Sequence, residues 1–258
     1  MNKTQIITIL AAIGLFGLLF LGFDTKPQKQ KDLEKSRSFN AELTSGQALL
    51  KNAKEGLSSS DLNEVSLLES QTNAENDSLK AEFLKELSGR WYELQRPDIA
   101  GYYAEQVAEL ENSEESWAIS GTTFSLCLQR MQREDQVDFC KRRAISSFEN
   151  AISLSPENMT HQVNLAMVFA NNPPQEQPMK GIQMLLALNR KAPENVLVLK
   201  TLARFGMQTN QFEKALGRLQ KAKAQAPEDK ELDCLLAKAH QGLGNAAEAA
   251  RFQSLCEK

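Results

Sequence analysis

Three prolines set the frame of this chain. Pro156, Pro193 and Pro227 stand 37 and 34 residues apart, in the strings Ser-Pro-Glu-Asn, Ala-Pro-Glu-Asn and Ala-Pro-Glu-Asp. Each follows a run of helical spacing, and proline there ends one helix and opens the next pair. Between the prolines, residue size recurs at fixed offsets. Counting back 12, 8 and 5 positions gives Ala144, Phe148 and Ala151, then Gly181, Leu185 and Leu188, then Ala215, Leu219 and Ala222. Small residues let helices approach, and large ones fill the space beside them. The opening helix of each pair reads Asn164-Leu165-Ala166 with Phe169, then Thr201-Leu202-Ala203 with Gly206, then Leu236-Ala237 with His240. Self-similarity at this period predicts stacked helix pairs. No segment shows a sustained strand alternation, so the chain is expected to be all-α.

These residues resemble the tetratricopeptide repeat, a helix–turn–helix unit of about 34 residues. Residues 196–229 carry the pattern without insertion, at Leu199, Leu202, Ala203, Ala215, Leu219, Ala222 and Pro227. Residues 159–195 add a short insertion at Pro173-Pro174, and 230–258 form the last copy. In 114–158, Trp117, Gly121 and Phe124 are in register, but a longer insertion over 125–143 is expected to lengthen both helices. An earlier copy at about 81–113 has Leu87, Ser88, Trp91, Ala100, Ala104 and Val107 but no final proline. The resemblance implies a right-handed α-solenoid of about five helix-turn-helix repeats over 78–258, capped by a helical segment at 39–77. In that cap a helix is expected over Phe39–Leu57, followed by one capped by Ser60 or Asp61 and running to Gln71. On the last helix, Phe252 and Leu255 are left for a partner or self-contact to cover, or the helix frays.

Ahead of the array lies an apolar run. Residues 6–23, IITILAAIGLFGLLFLGF, hold no charge and would span roughly 27 Å as a helix, about the thickness of a bilayer core. The run ends Leu21-Gly22-Phe23-Asp24-Thr25, a poor cleavage site, so 1–23 is expected to be an uncleaved transmembrane anchor. A polar linker, 24–38, follows. Within it Lys26, Lys29, Lys31, Lys35 and Arg37, on the C-terminal side of the apolar run, argue for a cytoplasmic body by the positive-inside rule. Long soluble domains also translocate regardless of such charges.

The cysteines weigh the other way. Cys127 and Cys140 flank the turn near Glu134, and Cys234 and Cys256 flank the turn near Gly244, so each pair sits at matching heights in a helix hairpin. Each pair is placed to close its hairpin as a disulfide, which persists only in an oxidising space. The alternative is four small buried residues, because helical-wheel angles set Cys127 and Cys234 off the lines that face their partner helices. The disulfide reading places the body on the periplasmic side of a bacterial inner membrane.

The chain carries 30 basic and 33 acidic residues, so bulk charge gives no reason to expect nucleic-acid binding. The imbalance is uneven: residues 79–158 hold 9 basic and 14 acidic groups, and 159–258 hold 13 and 9. The only histidines are His161 and His240, and no phosphate-loop, dinucleotide, zinc-protease or nucleophile-elbow motif is present. Neither catalysis nor a cofactor, metal or small-molecule substrate is expected. In tetratricopeptide arrays the first helices line a groove that holds a peptide or protein. The resemblance therefore implies groove positions at Asn164, Met167, Lys200, Arg204, Met207, Lys238 and Gln241. Lys200, Arg204 and Lys238 suit an acidic peptide or a terminal carboxylate, or else form a solvated basic face. Thr201, Glu231 and Leu235 occupy the positions of the chaperone-binding clamp, so chaperone binding is not expected. The expected function is a membrane-anchored interaction scaffold, with assembly of envelope or c-type cytochrome proteins as its narrower form. The alternative is an accessory subunit of an enzyme complex acting through the long 114–156 hairpin.

Overall fold

The side chains that recur at fixed offsets are the ones that leave water. Ala144, Phe148, Ala151, Leu185, Leu188, Ala215, Leu219 and Ala222 are all buried. So are their counterparts on the opening helices, Leu165, Ala166, Leu202, Ala203, Leu236 and Ala237. In the computed structural model, which describes residues 45–257 together with Asn2 and Gln5, the described residues form twelve α-helices and no strands. The chain divides between Ser45 and Gly46, and all twelve helices belong to the second unit. Among the described residues no helix is long and apolar enough to cross a membrane. The expected span at 6–23, the linker and the start of the helix expected from Phe39 lie outside them.

Two short helices come first: α1, Gly46–Glu55, and α2, Ser59–Gln71. Five hairpins follow. These pair α3, Asp77–Glu93, with α4, Pro97–Glu111; α5, Glu114–Arg130, with α6, Glu134–Leu154; and α7, Met159–Asn171, with α8, Lys180–Lys191. The last two pair α9, Val196–Gln208, with α10, Phe212–Gln225, and α11, Lys230–Gly242, with α12, Ala246–Cys256. From α2 onward each helix packs mainly on its neighbours in sequence, whereas α1 packs on α4. The opening helices α5, α7, α9 and α11 also touch in succession, so they line one side of the array. This is a tetratricopeptide-like solenoid, in which no pair buries its apolar face alone.

Local chemistry explains where the opening helices start. The last residue of each proline string is an N-cap: Asn158 accepts from the Thr160 amide, Asn195 from Val198 and Asp229 from Glu231. A side-chain oxygen there satisfies one of the free amides at a helix start. Ser113 does the same for α5 in a reciprocal pair with Ser116. At α2 the cap is Ser58, whose hydroxyl accepts from the Asp61 amide, not Ser60 or Asp61 as expected. Ser58 is the last residue with extended backbone, and Ser60 and Asp61 are already helical.

Close approach is set by glycines. A Cβ on Gly181 would lie 2.2 Å from the Ala170 amide nitrogen and 2.4 Å from the Ala166 carbonyl, so α8 rests directly on the backbone of α7. Gly121 leaves room for the Phe148 ring in the same way. The expected lengthening of α5 and α6 is present, and the added turns are tied down. Cys127 and Cys140 form a disulfide between them, with Cα atoms 6.2 Å apart. Arg130 donates to Gln95 and Tyr92, and Gln136 donates to the buried Asp98, which also pairs with Arg96 at 2.8 Å. The long hairpin therefore lies against α3 and α4.

Candidate functional site

The seven residues expected to share a groove fall into separate settings. Asn164 and Met167, on α7, line a hollow of about 260 Å3 with Leu126 and Gln129 of α5. Asn164 and Thr122 also line a second hollow of about 330 Å3, which continues along the same two helices past Ile119 and Thr160. The two hollows thus meet at Thr122 and Asn164 and form one groove between neighbouring opening helices. Ile119 is 53% exposed beside it.

The basic members sit elsewhere and are already engaged. Lys200 donates to Asp229 at 2.8 Å and to Glu231 at 2.7 Å, and Arg204 pairs with the same Glu231. Both acids stand at the start of α11, one repeat further on. The Lys200 ammonium beside Asp229 holds that carboxyl below the usual range. The basic side chains expected to face the groove at α9 are therefore paired within the chain, with the two acids at the start of α11. Lys238 remains exposed on α11. Met207 packs against the cluster of Leu199, Ala203, Leu235 and Leu236, so it is a core side chain in part. Gln241 lines a distinct hollow of about 460 Å3 with Ala237, Gly244, Ala246 and Ala249, between α11 and α12.

Polar bonds hold the starts of the opening helices in line. His161 Nε2 donates to Glu114 Oε1 at 2.6 Å, and Asn158 also reaches that carboxylate. These bonds hold the Glu114 carboxyl below its ordinary range. They fix α7 against α5 at the mouth of the groove. Deeper in the array, burial pushes the Glu105 carboxyl up, and Arg143 at 3.2 Å works against that. Burial and a hydrogen bond to Glu69 push the Tyr103 hydroxyl up. These are cross-links between helices of the N-terminal half. Among the described residues no three His, Cys, Asp or Glu side chains gather as a metal would require.

The second cysteine pair is also joined. Cys234 and Cys256 form a disulfide across the α11–α12 hairpin, with Cα atoms 4.9 Å apart. Phe252 stacks on His240 at 5.6 Å beside it, while Leu255 stays 37% exposed.

No protein-family model matches the chain, and no curated protein matches it. Among solved structures it is similar to MamA from Desulfovibrio magneticus RS-1, with 19% identity over 69% of this chain and 93% of that one, at a TM-score of 0.44. It is also similar to YrrB, a TPR protein with an unusual peptide-binding site, with 13% identity over 68% of this chain and 84% of that one, at a TM-score of 0.39.

Proposed function

We propose that this protein is a non-enzymatic interaction scaffold, held to a membrane by residues 6–23, that presents the face of its opening helices to a peptide or protein partner. The observation that supports this most directly is the α5–α7 groove. It is lined by the exposed Ile119 and the half-exposed Asn164, which the fold does not use up, and by Met167, which packs in part on the neighbouring core. The rigid array around it, closed by caps, close-packed glycines and two disulfides, suits a preformed surface. In this reading the body stands on the periplasmic side of a bacterial inner membrane, where it serves the assembly of envelope or c-type cytochrome proteins.

The test is photo-crosslinking in intact cells, using the full chain with a photoreactive residue at Asn164, or at Glu149, which is exposed on α6. A discrete adduct from position 164 and none from 149 is the expected result. Adducts that do not distinguish the two positions, or none at either, would overturn the groove as the working surface.

A further inference from the structure

The α5–α7 groove carries a more specific message about what it holds. We infer that it takes an uncharged, extended peptide segment that places one aliphatic or thioether side chain in the hollow beside Asn164. This rests on the groove reading above and gives the partner its chemistry.

Charge is the first argument. The hollow of about 260 Å3 is lined by Thr122, Ser125, Leu126, Leu128, Gln129 and Phe148 from one hairpin and by Asn164, Met167, Val168, Asn171 and Asn172 from the next. None of these side chains ionises. The nearest cations do not serve it: Arg130 reaches away to Gln95 and Tyr92 beside α3, and Lys200 and Arg204 are paired with the start of α11. A charged ligand side chain entering this hollow would lose hydration and meet no counter-charge in its lining; the ionisable Glu115 and His161 line only the second hollow, beyond Thr122.

Hydrogen-bonding capacity is the second. The hydroxyls of Thr122 and Ser125 donate to the Ala118 and Gly121 carbonyls, and the Asn172 amide donates to Val168. The side-chain amides of Gln129, Asn164 and Asn171 have no partner among the described residues. Each offers a donor and an acceptor in one plane, as a peptide unit does in return. Asn164 and Asn171 lie two helical turns apart, roughly 10 Å along α7. Three residues of extended chain cover about the same distance. The two amides are therefore spaced to read a backbone laid along the helix.

Size is the third. The hollow is smaller than the roughly 300–1,000 Å3 of small-molecule sites. Its apolar side, formed by Leu126, Leu128, Phe148, Met167 and Val168, suits a single aliphatic or thioether side chain.

The experiment uses the full chain in detergent and three sets of fluorescein-labelled synthetic octapeptides, uncharged, acidic and basic, each with a central Leu or Met. Fluorescence anisotropy should show the uncharged set binding at least about tenfold more tightly than the acidic set, with little dependence on salt. Asn164→Ala and Met167→Glu should each weaken binding by about tenfold, with helical circular dichroism unchanged, while Lys238→Glu leaves it alone. Preference for acidic peptides, lost at high salt and in Lys238→Glu, would overturn the inference and leave the groove reading standing. Self-association abolished by Met167→Glu, with no peptide bound, would name a second copy as the occupant and overturn the inference. Binding of no peptide in any set, by a chain that still gives a position-164 adduct in cells, would overturn the peptide chemistry alone. Failure of both measurements would remove the groove as well.

Discussion

Lys200 is only 14% exposed at its side chain, and it holds Asp229 and Glu231 across the gap between the last two repeats. Asp229 also caps α11, so one carboxylate closes a helix start and joins two hairpins. Its depressed pKa has a direct consequence for stability. A carboxyl whose folded value lies below its unfolded value stabilises the fold above the unfolded value, near pH 4, and loses that contribution as pH falls through the folded one. Lys200→Met should therefore cost about 0.5–1 kcal/mol at pH 7, the range of a partly exposed pair. The cost should shrink as pH falls below about 4, through the depressed folded value at which Asp229 takes up its proton. Asp229→Asn keeps a capping side chain and removes the charge, so in that background Lys200→Met should cost less at pH 7. Urea denaturation of the four variants at both pH values reads this out. An undiminished cost at low pH would mean that the lysine stem, rather than its charge, does the stabilising.

The two disulfides act on elements of very different burial. Cys127 and Cys140 are wholly buried between α5 and α6, whereas Cys234 and Cys256 are half-exposed, and α12 has no buried residue at all. Helix α12 keeps the Phe252 ring against His240 and the bond from Cys256, which closes a loop of 22 residues. In the chain-entropy model such a closure is worth about 3 kcal/mol. Mild treatment with a dithiol should open the exposed pair first. Amide exchange should then rise across Ala246–Cys256 while Glu114–Leu154 stays protected. An α12 that keeps its protection after that bond is cut would be held by packing alone. These hairpins also show what a sequence can disclose. Ala144, Phe148 and Ala151, with their counterparts, were legible because burial follows a period. The groove members were only partly so. The helix face of Lys200 could be read, but whether it is free depends on Glu231, brought within reach by how one repeat stacks on the next. The capping role of Asn158, Asn195 and Asp229 was present in the proline strings, two residues after each proline.

For the whole molecule, the proposed anchor at 6–23 gives the array two possible sides of a membrane, and the cysteines distinguish them. Five basic residues, Lys26, Lys29, Lys31, Lys35 and Arg37, follow the apolar run 6–23 and would hold the body in the cytoplasm. Against them stand two hairpins, each closed by a disulfide, and in the cytoplasm thiols are kept reduced. One experiment separates the effect of the flanking charges from that of the disulfides. The full chain and a chain lacking residues 1–24 are expressed in cells, quenched in acid, unfolded and alkylated before any reductant is added. If the apolar run carries the body across the membrane, the full chain should pellet with membranes and show no free thiol until it is reduced. The shortened chain should stay soluble, remain in the reducing compartment and show all four thiols free, its fold weakened by the loss of both cross-links. Four free thiols in the full chain would return the body to the cytoplasm and favour the lysine count. A shortened chain that still pellets with membranes would remove 6–23 as the element that holds the protein there.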